Sequence, residues 1–179
     1  MKQLFILGVC GVLVAAASVA RADDLQDAAK YVKILKTSKS NDERLSAVSD
    51  LMLLSRSNFA AIFPSIPDLI DVLKNDKHHL VRSSAARVLA ETGAEAKGAI
   101  PLCIAILSDP KENPEVMVGA AKVVGVCGGN GVKESKEALP ILTALEKAEM
   151  AKEQAKRNEK LLEAVITAIG SIKAGTKDK

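Results

Sequence analysis

The sequence predicts an all-α protein, a right-handed α-solenoid of about four helical hairpins forming one domain over residues 23–172. Three observations carry that prediction. A two-helix unit recurs after residue 60: Pro67, Pro101 and Pro140 open apolar segments at intervals of 34 and 39 residues, and Gly93, Gly128 and Gly170 close the segments that follow at intervals of 35 and 42. Periods of this length mark a helical repeat, because two amphipathic helices cannot bury their apolar faces alone and must stack on their neighbours. The composition is 48% apolar yet only 2% aromatic, so Ala, Val, Leu and Ile must do the packing, which suits closely stacked helices. Alternating Val/Thr/Tyr runs bounded by turns, the signal for strands, are missing. A closed four- or five-helix bundle is the competing architecture.

Residues 1–22 read as a signal peptide. Lys2 supplies a positive start, Leu4 to Ala17 an apolar run, and Ala20-Arg21-Ala22 a small-x-small cleavage site. The expected cut follows Ala22, leaving Asp23-Asp24 at the new start and no membrane span in what remains, and the protein is expected to be periplasmic or secreted. The polar, cleavable end argues against a retained anchor, and bulky Val9 before Cys10 argues against lipidation. Loss of Lys2 and Arg21 with the leader leaves 23 basic against 22 acidic residues. Near-neutrality and scarce aromatics give neither the basic stripe nor the stacking platforms of a nucleic-acid binder. Two cysteines remain, Cys103 and Cys127. At ~1.5 Å of rise per residue they differ in height within one hairpin by roughly 13 Å, beyond the ~7 Å that a disulfide tolerates, so both are expected as buried free thiols.

The elements follow in order. Asp23 to Lys36 carries Leu25, Ala28, Ala29, Val32, Ile34 and Leu35 as its apolar positions and is expected as the first helix. Ser40-Asn41-Asp42-Glu43 is a capping box that opens the second, with Leu45, Val48, Leu51, Met52 and Leu54 at helical spacing. Pro64 and Pro67 belong to the first turns of the next helix, where a missing N–H costs little. Asp76 is the expected N-cap of a helix over Lys77 to Thr92, which Gly93 ends in the left-handed conformation. Asn113-Pro114-Glu115 opens the corresponding helix of the next unit with a cap, a Pro and an acid on the dipole. Gly128-Gly129-Asn130-Gly131 is a turn, since it follows a helix and lacks the Lys-Ser/Thr of a phosphate loop. Glu146 to Lys160 is expected as a solvated, charge-dense helical face with Glu153 opposite Arg157 one turn on. Packing is expected to end at Ile172, with residues 173–179 a polar tail.

Asp76, Val81, Arg82, Ala85, Ala86, Leu89 and Gly93 resemble the second helix of a HEAT repeat: an Asp in the turn, Val-Arg, paired Ala, Leu and a closing Gly. The following unit keeps Asp109, Val116, Ala120, Ala121, Val124 and Gly128 but has Met117 in place of the Arg, and the last keeps only Ala164, Ile166 and Gly170. The units are short for the family, similar to the HEAT-like repeats of phycobilin lyases. The resemblance implies that Asp76, Arg82 and Asp109 form a structural ladder between repeats, Arg82 bonding the carboxylate of Asp76 or Asp109.

No catalytic constellation, metal site or cofactor motif stands out. His78 and His79 are adjacent, so on a helix they point ~100° apart and are poorly placed to share a metal. Ser83-Ser84 has no evident base beside it. The expectation is therefore an exported, non-catalytic scaffold that binds a protein or peptide on the concave face of its second helices. Arg87, Lys122, Arg157 and Lys160 are the expected contacts there, with Ser83 and Glu115 beside them. A structural spacer in the envelope and a lyase-like enzyme or enzyme subunit are the alternatives.

Overall fold

The structure, a computed structural model, describes residues 21–175. The expected leader, apart from Arg21 and Ala22, and the last four residues of the expected tail lie outside the described residues. Eight α-helices are described and no strand occurs among the described residues: α1 (Ala22–Thr37), α2 (Asn41–Ser57), α3 (Ile66–Asn75), α4 (His79–Glu91), α5 (Ile100–Ser108), α6 (Pro114–Gly129), α7 (Leu139–Met150) and α8 (Glu159–Gly175). Each of α1, α3, α5 and α7 packs on the helix that follows it, and α2, α4, α6 and α8 stack in that order as one layer. This is the all-α solenoid arrangement that the repeat period predicts.

Local signals account for the starts. Pro67, Pro101 and Pro140 all fall in the first two positions of α3, α5 and α7, each preceded by a 3-10 segment: Phe59–Ser65, Gly93–Ala99 and Lys133–Ala138. Ser40 Oγ accepts the Glu43 N–H at 3.3 Å, as a capping residue should, but the Glu43 carboxylate turns to Ser38 Oγ, which in turn accepts from Ser40 N. Asn113 Oδ1 caps α6 through Glu115 N at 2.9 Å.

Four expectations are corrected. α4 begins at His79 with His78 at its N-cap position; Asp76 sits two residues earlier, its Oδ1 accepting the His78 N–H at 2.8 Å. Gly93 has φ +63° as expected, but Gly128 and Gly170 lie inside α6 and α8, and the left-handed turn after α6 is made by Gly131 at φ +82°. The charge-dense segment is not one helix, because the α-helix is interrupted between Met150 and Glu159, with only a 3-10 turn over Gln154–Lys156. α8 runs three residues into the expected tail, to Gly175, although Ile172 is its last buried residue.

Arginine–carboxylate pairs join successive units, but not the pairs expected. Arg44, which the sequence reading passed over, holds the Asp76 carboxylate with two bonds, Nε to Oδ2 at 2.7 Å and Nη2 to Oδ1 at 3.1 Å, and its Nη1 donates to Ser38 O. Arg82 reaches only the backbone carbonyl of Asp76, at 3.0 Å, and its Nη2 pairs with Glu112 Oε1 at 2.6 Å. The Asp109 carboxylate takes no part; it accepts from Lys111 N in its own turn. Loop length explains the exchange. Asp76 and Asp109 both end the first helix of their unit, but α4 follows after residues 76–78 and α6 only after residues 109–113. The two extra residues carry Asp109 away from the next helix start, and Glu112, one methylene longer than Asp, takes the Arg.

The core lies between the layers and is built from aliphatic side chains, with Leu51, Ile62, Leu69, Leu89, Ile100, Leu107, Leu142 and Ile172 fully buried. Helix α6 is its centre, in contact with α4 on one side and α8 on the other. Its glycines permit that approach. A Cβ on Gly119 would stand 2.7 Å from Ala86 Cβ, one on Gly125 2.8 Å from Ala168 Cα, and one on Gly128 2.9 Å from Ile172 Cα. Cys103 and Cys127 are free and buried, and Cys127 Sγ lies 3.3 Å from the Gly93 carbonyl. Burial pushes the Cys127 thiol up to about 11.

Two stability predictions follow from these contacts. Arg44→Ala strands the Asp76 carboxylate and should cost about 3 kcal/mol, more than the about 1–2 kcal/mol for Arg82→Ala at its more exposed rung. Urea melts of the two variants check both sizes and order. Gly119→Ala forces α4 and α6 apart and should cost about 1–3 kcal/mol, whereas Gly98→Ala, whose added Cβ meets only Ile70 Cδ1 at 3.8 Å, should be neutral or mildly stabilising in the same melts.

Candidate binding groove

The second-helix layer carries an open groove of about 580 Å³ across α4, α6 and α8. Its floor is set by small residues, Gly119 and Gly125 of α6 and Ala164 and Ala168 of α8. The same missing side chains that let the helices approach also leave the surface above them low. Long charged side chains form the walls: Arg87 from α4, Glu115 and Lys122 from α6, Lys160 and Glu163 from α8, all exposed. Leu80 and Val126 add apolar surface, exposed to 40% and 36%.

Five of the six residues expected to share a face do line this groove: Ser83, Arg87, Glu115, Lys122 and Lys160. Their periodicity put them there, since Arg87 and Lys122 each stand six residues before Gly93 and Gly128. Lys160 Nζ lies 3.5 Å from Glu115 Oε1, an exposed pair across α6 and α8. The Ser83 hydroxyl is turned into its own helix, donating to Leu80 O at 3.1 Å. Arg87 and Lys122 have no hydrogen bond or ion pair among the described residues.

Arg157 does not belong to the groove. Its guanidinium closes the C-terminus of α7, donating from Nε to Glu149 O at 3.1 Å and from Nη2 to Met150 O and Lys152 O. The last carbonyls of a helix lack the full set of intrahelical donors, so the guanidinium adds to the Lys152 N–H already on Glu149 O, and a cation there also suits the dipole. The expected pairing with Glu153 fails because Gln154–Lys156 between them is a 3-10 turn and not part of an α-helix; Glu153 pairs with Lys156 instead. Glu149 is buried, not solvated: its carboxylate accepts from Lys152 Nζ and from Asn158 N, and Asn158 Oδ1 in turn accepts the Leu161 N–H at the start of α8.

A smaller cleft of about 270 Å³ between α2 and α4 adjoins the groove, sharing Ser84 and Arg87 with it. Arg56 and the 63% exposed Leu53 line this cleft. Neither is marked in the sequence, because α2 has no closing glycine from which to count.

The histidines stand apart from these clefts, stacked on each other with ring centroids 5.3 Å apart. Among the described residues no three His, Cys, Asp or Glu side chains gather as metal ligands, and no helix is long and apolar enough to cross a membrane.

A family model of HEAT repeats matches residues 66–158, from the start of α3 to the loop before α8. The chain belongs to the HEAT-repeat family. No curated protein and no solved structure matches it. The matched HEAT repeats supply two helices of the groove, α4 and α6; the third, α8, lies beyond the match.

The Glu149 site predicts a pH dependence. Burial pushes its carboxyl up, but the bonds from Lys152 and Asn158 and the nearby charges of Lys152 and Arg157 outweigh this and hold it below the ordinary value of 4.5. A carboxyl held low in the folded state contributes stability above its unfolded value, and that contribution disappears as pH falls through the folded value. Glu149→Gln should therefore melt below wild type at pH 7, with the gap closing as the pH drops under about 4.5. Melts across that range check the sign.

Proposed function

We propose that this HEAT-repeat protein is an exported, non-catalytic scaffold that binds a protein or peptide along the second-helix groove. The observation that carries the proposal is the pair Arg87 and Lys122, exposed in the groove without an internal partner. Charged side chains that hold the fold together in this chain, Arg44, Arg82 and Arg157, each bond two or more groups. Arg87 and Lys122 contribute nothing comparable, yet they flank apolar surface in a recess, the mixture of charge and exposed aliphatic side chain from which binding sites are made.

The lining also supports a non-catalytic reading. It contains no His, Cys or Tyr, and the Ser83 hydroxyl is bonded to its own backbone. The leader sequence supports export.

Affinity capture from the periplasmic or secreted fraction tests the proposal, with wild type and Arg87→Glu/Lys122→Glu as parallel baits. The expected result is a saturable protein partner retained by wild type and lost by the variant, with unchanged melting of the bait. Equal recovery by both baits would move the site elsewhere, and no saturable partner would favour a structural spacer.

A further inference from the structure

The groove and the adjoining cleft form one recess whose charge is unbalanced, and that imbalance specifies the occupant. Four cations line the two, Arg56, Arg87, Lys122 and Lys160, against two carboxylates, Glu115 and Glu163. Two positive charges in excess are thus gathered on one face of a chain that is close to neutral once its leader is set aside. The carboxylates are also confined to the α6–α8 side, and Glu115 already faces Lys160 at 3.5 Å. From α2 through α4 to Lys122 the recess presents only cations, and Arg56, Arg87 and Lys122 have no hydrogen-bond or ion-pair partner among the described residues. Arg87 lines both parts and stands at their junction.

The apolar surface runs beside these cations. Leu53, Leu80 and Val126 are aliphatic side chains exposed to 63%, 40% and 36%, Leu80 in the first turn of α4 and Leu53 and Val126 toward the C-terminal ends of α2 and α6, so they place separate apolar patches along the recess. A ligand that only neutralised charge would leave those patches in water; one that only covered the patches would bury cations without partners, which costs free energy. A segment that carries both acids and aliphatic side chains meets both demands. Two of the three unpaired cations are arginines, whose planar guanidinium takes a carboxylate with two parallel bonds. A nucleic acid would answer the charge but not the aliphatic patches, and the recess has no aromatic side chain on which a base could stack.

We infer that the recess binds an acidic amphipathic segment of a partner protein, its Asp and Glu side chains over Arg56, Arg87 and Lys122 and its aliphatic side chains on Leu53, Leu80 and Val126. This rests on the scaffold reading above and specifies the chemistry of its partner.

The experiment is selection from a library of random peptides displayed on phage, each about four helical turns long, panned on protein purified after expression of the full chain. Peptides rich in both Asp/Glu and Leu/Ile/Met should be enriched over the starting library. A synthetic copy of the leading peptide should bind wild type and weaken about tenfold or more against Arg56→Glu/Arg87→Glu, as opposite charges become like charges. Replacing its acids by amides should weaken it comparably, and added salt should weaken the parent peptide more than the amide form. The substituted arginines are exposed and unpaired, so circular dichroism melts of the variant should match wild type, which separates lost binding from lost folding. An enriched set that is uncharged or basic overturns this inference and leaves the scaffold reading standing, as does a leading peptide indifferent to the arginine reversals but sensitive to Leu80→Asp. Recovery of no peptide, with a single-stranded DNA oligonucleotide bound through Arg87 and Lys122, overturns both.

Discussion

The distance between α6 and its two neighbours governs the second-helix layer. Three glycines remove the side chains that would hold the backbones apart: Gly119 toward α4, and Gly125 and Gly128 toward α8. Glycine inside a helix is intrinsically unfavourable by about 1 kcal/mol relative to Ala, so its presence here has to be offset by the packing it allows. The packing is extensive, since Val116, Ala120, Ala121, Val123, Val124 and Cys127 of the same helix are all buried. The groove follows as a by-product: where helices meet through glycine and alanine the surface sinks, and the long side chains of Arg87, Lys122 and Lys160 become its walls.

The polar contacts between units work differently. They sit at the N-terminal ends of second helices and join the first unit to the second, and the second to the third, by one arginine each. Arg44 and Arg82 each stand four residues past the N-cap position of their helix, at Ser40 and His78, and Met117 holds the same place after Asn113. The arginine series therefore stops after the pair of Arg82 with Glu112, and the α6–α8 joint has at that end only the exposed Lys160–Glu115 pair. Glu112 also accepts the Asn113 N–H, so one carboxylate both receives the arginine and helps to fix the start of α6.

Much of this was legible in the sequence, and the failures share a cause. Prolines marked the starts of α3, α5 and α7 because only a helix's first turn tolerates the lost N–H. Glycine was ambiguous because it serves two ends: Gly93 supplies a left-handed turn, whereas Gly128 supplies the absence of a side chain inside α6, and no local pattern separates the two. Arg82 was legible as a rung, but its partner depended on a loop two residues longer than its counterpart. Arg44 could have been found by aligning capping positions rather than motifs. Arg87 and Lys122 were legible as one face because helical period and repeat period agree there. Arg157 was not, because its position depends on a helix interruption whose polar, helix-compatible residues give no local warning.

The joints between successive second helices are unequal, and this gives the array a direction of compliance. Between α6 and α8 the backbones touch at two levels, Gly125 on Ala168 and Gly128 on Ile172, so the two helices resist both rocking and sliding. Between α2 and α4 no glycine contact exists, and the polar link is one arginine–carboxylate pair near one end, which constrains a point rather than a line. In a stack where each unit touches only its neighbours, shape change is the sum of rotations at single joints. Elastic strain imposed on the array from outside would therefore collect at the α2–α4 joint, opening or narrowing the cleft that holds Arg56 and Leu53 while the α6–α8 half of the recess keeps its width. The protein has a stiff jaw and a yielding one.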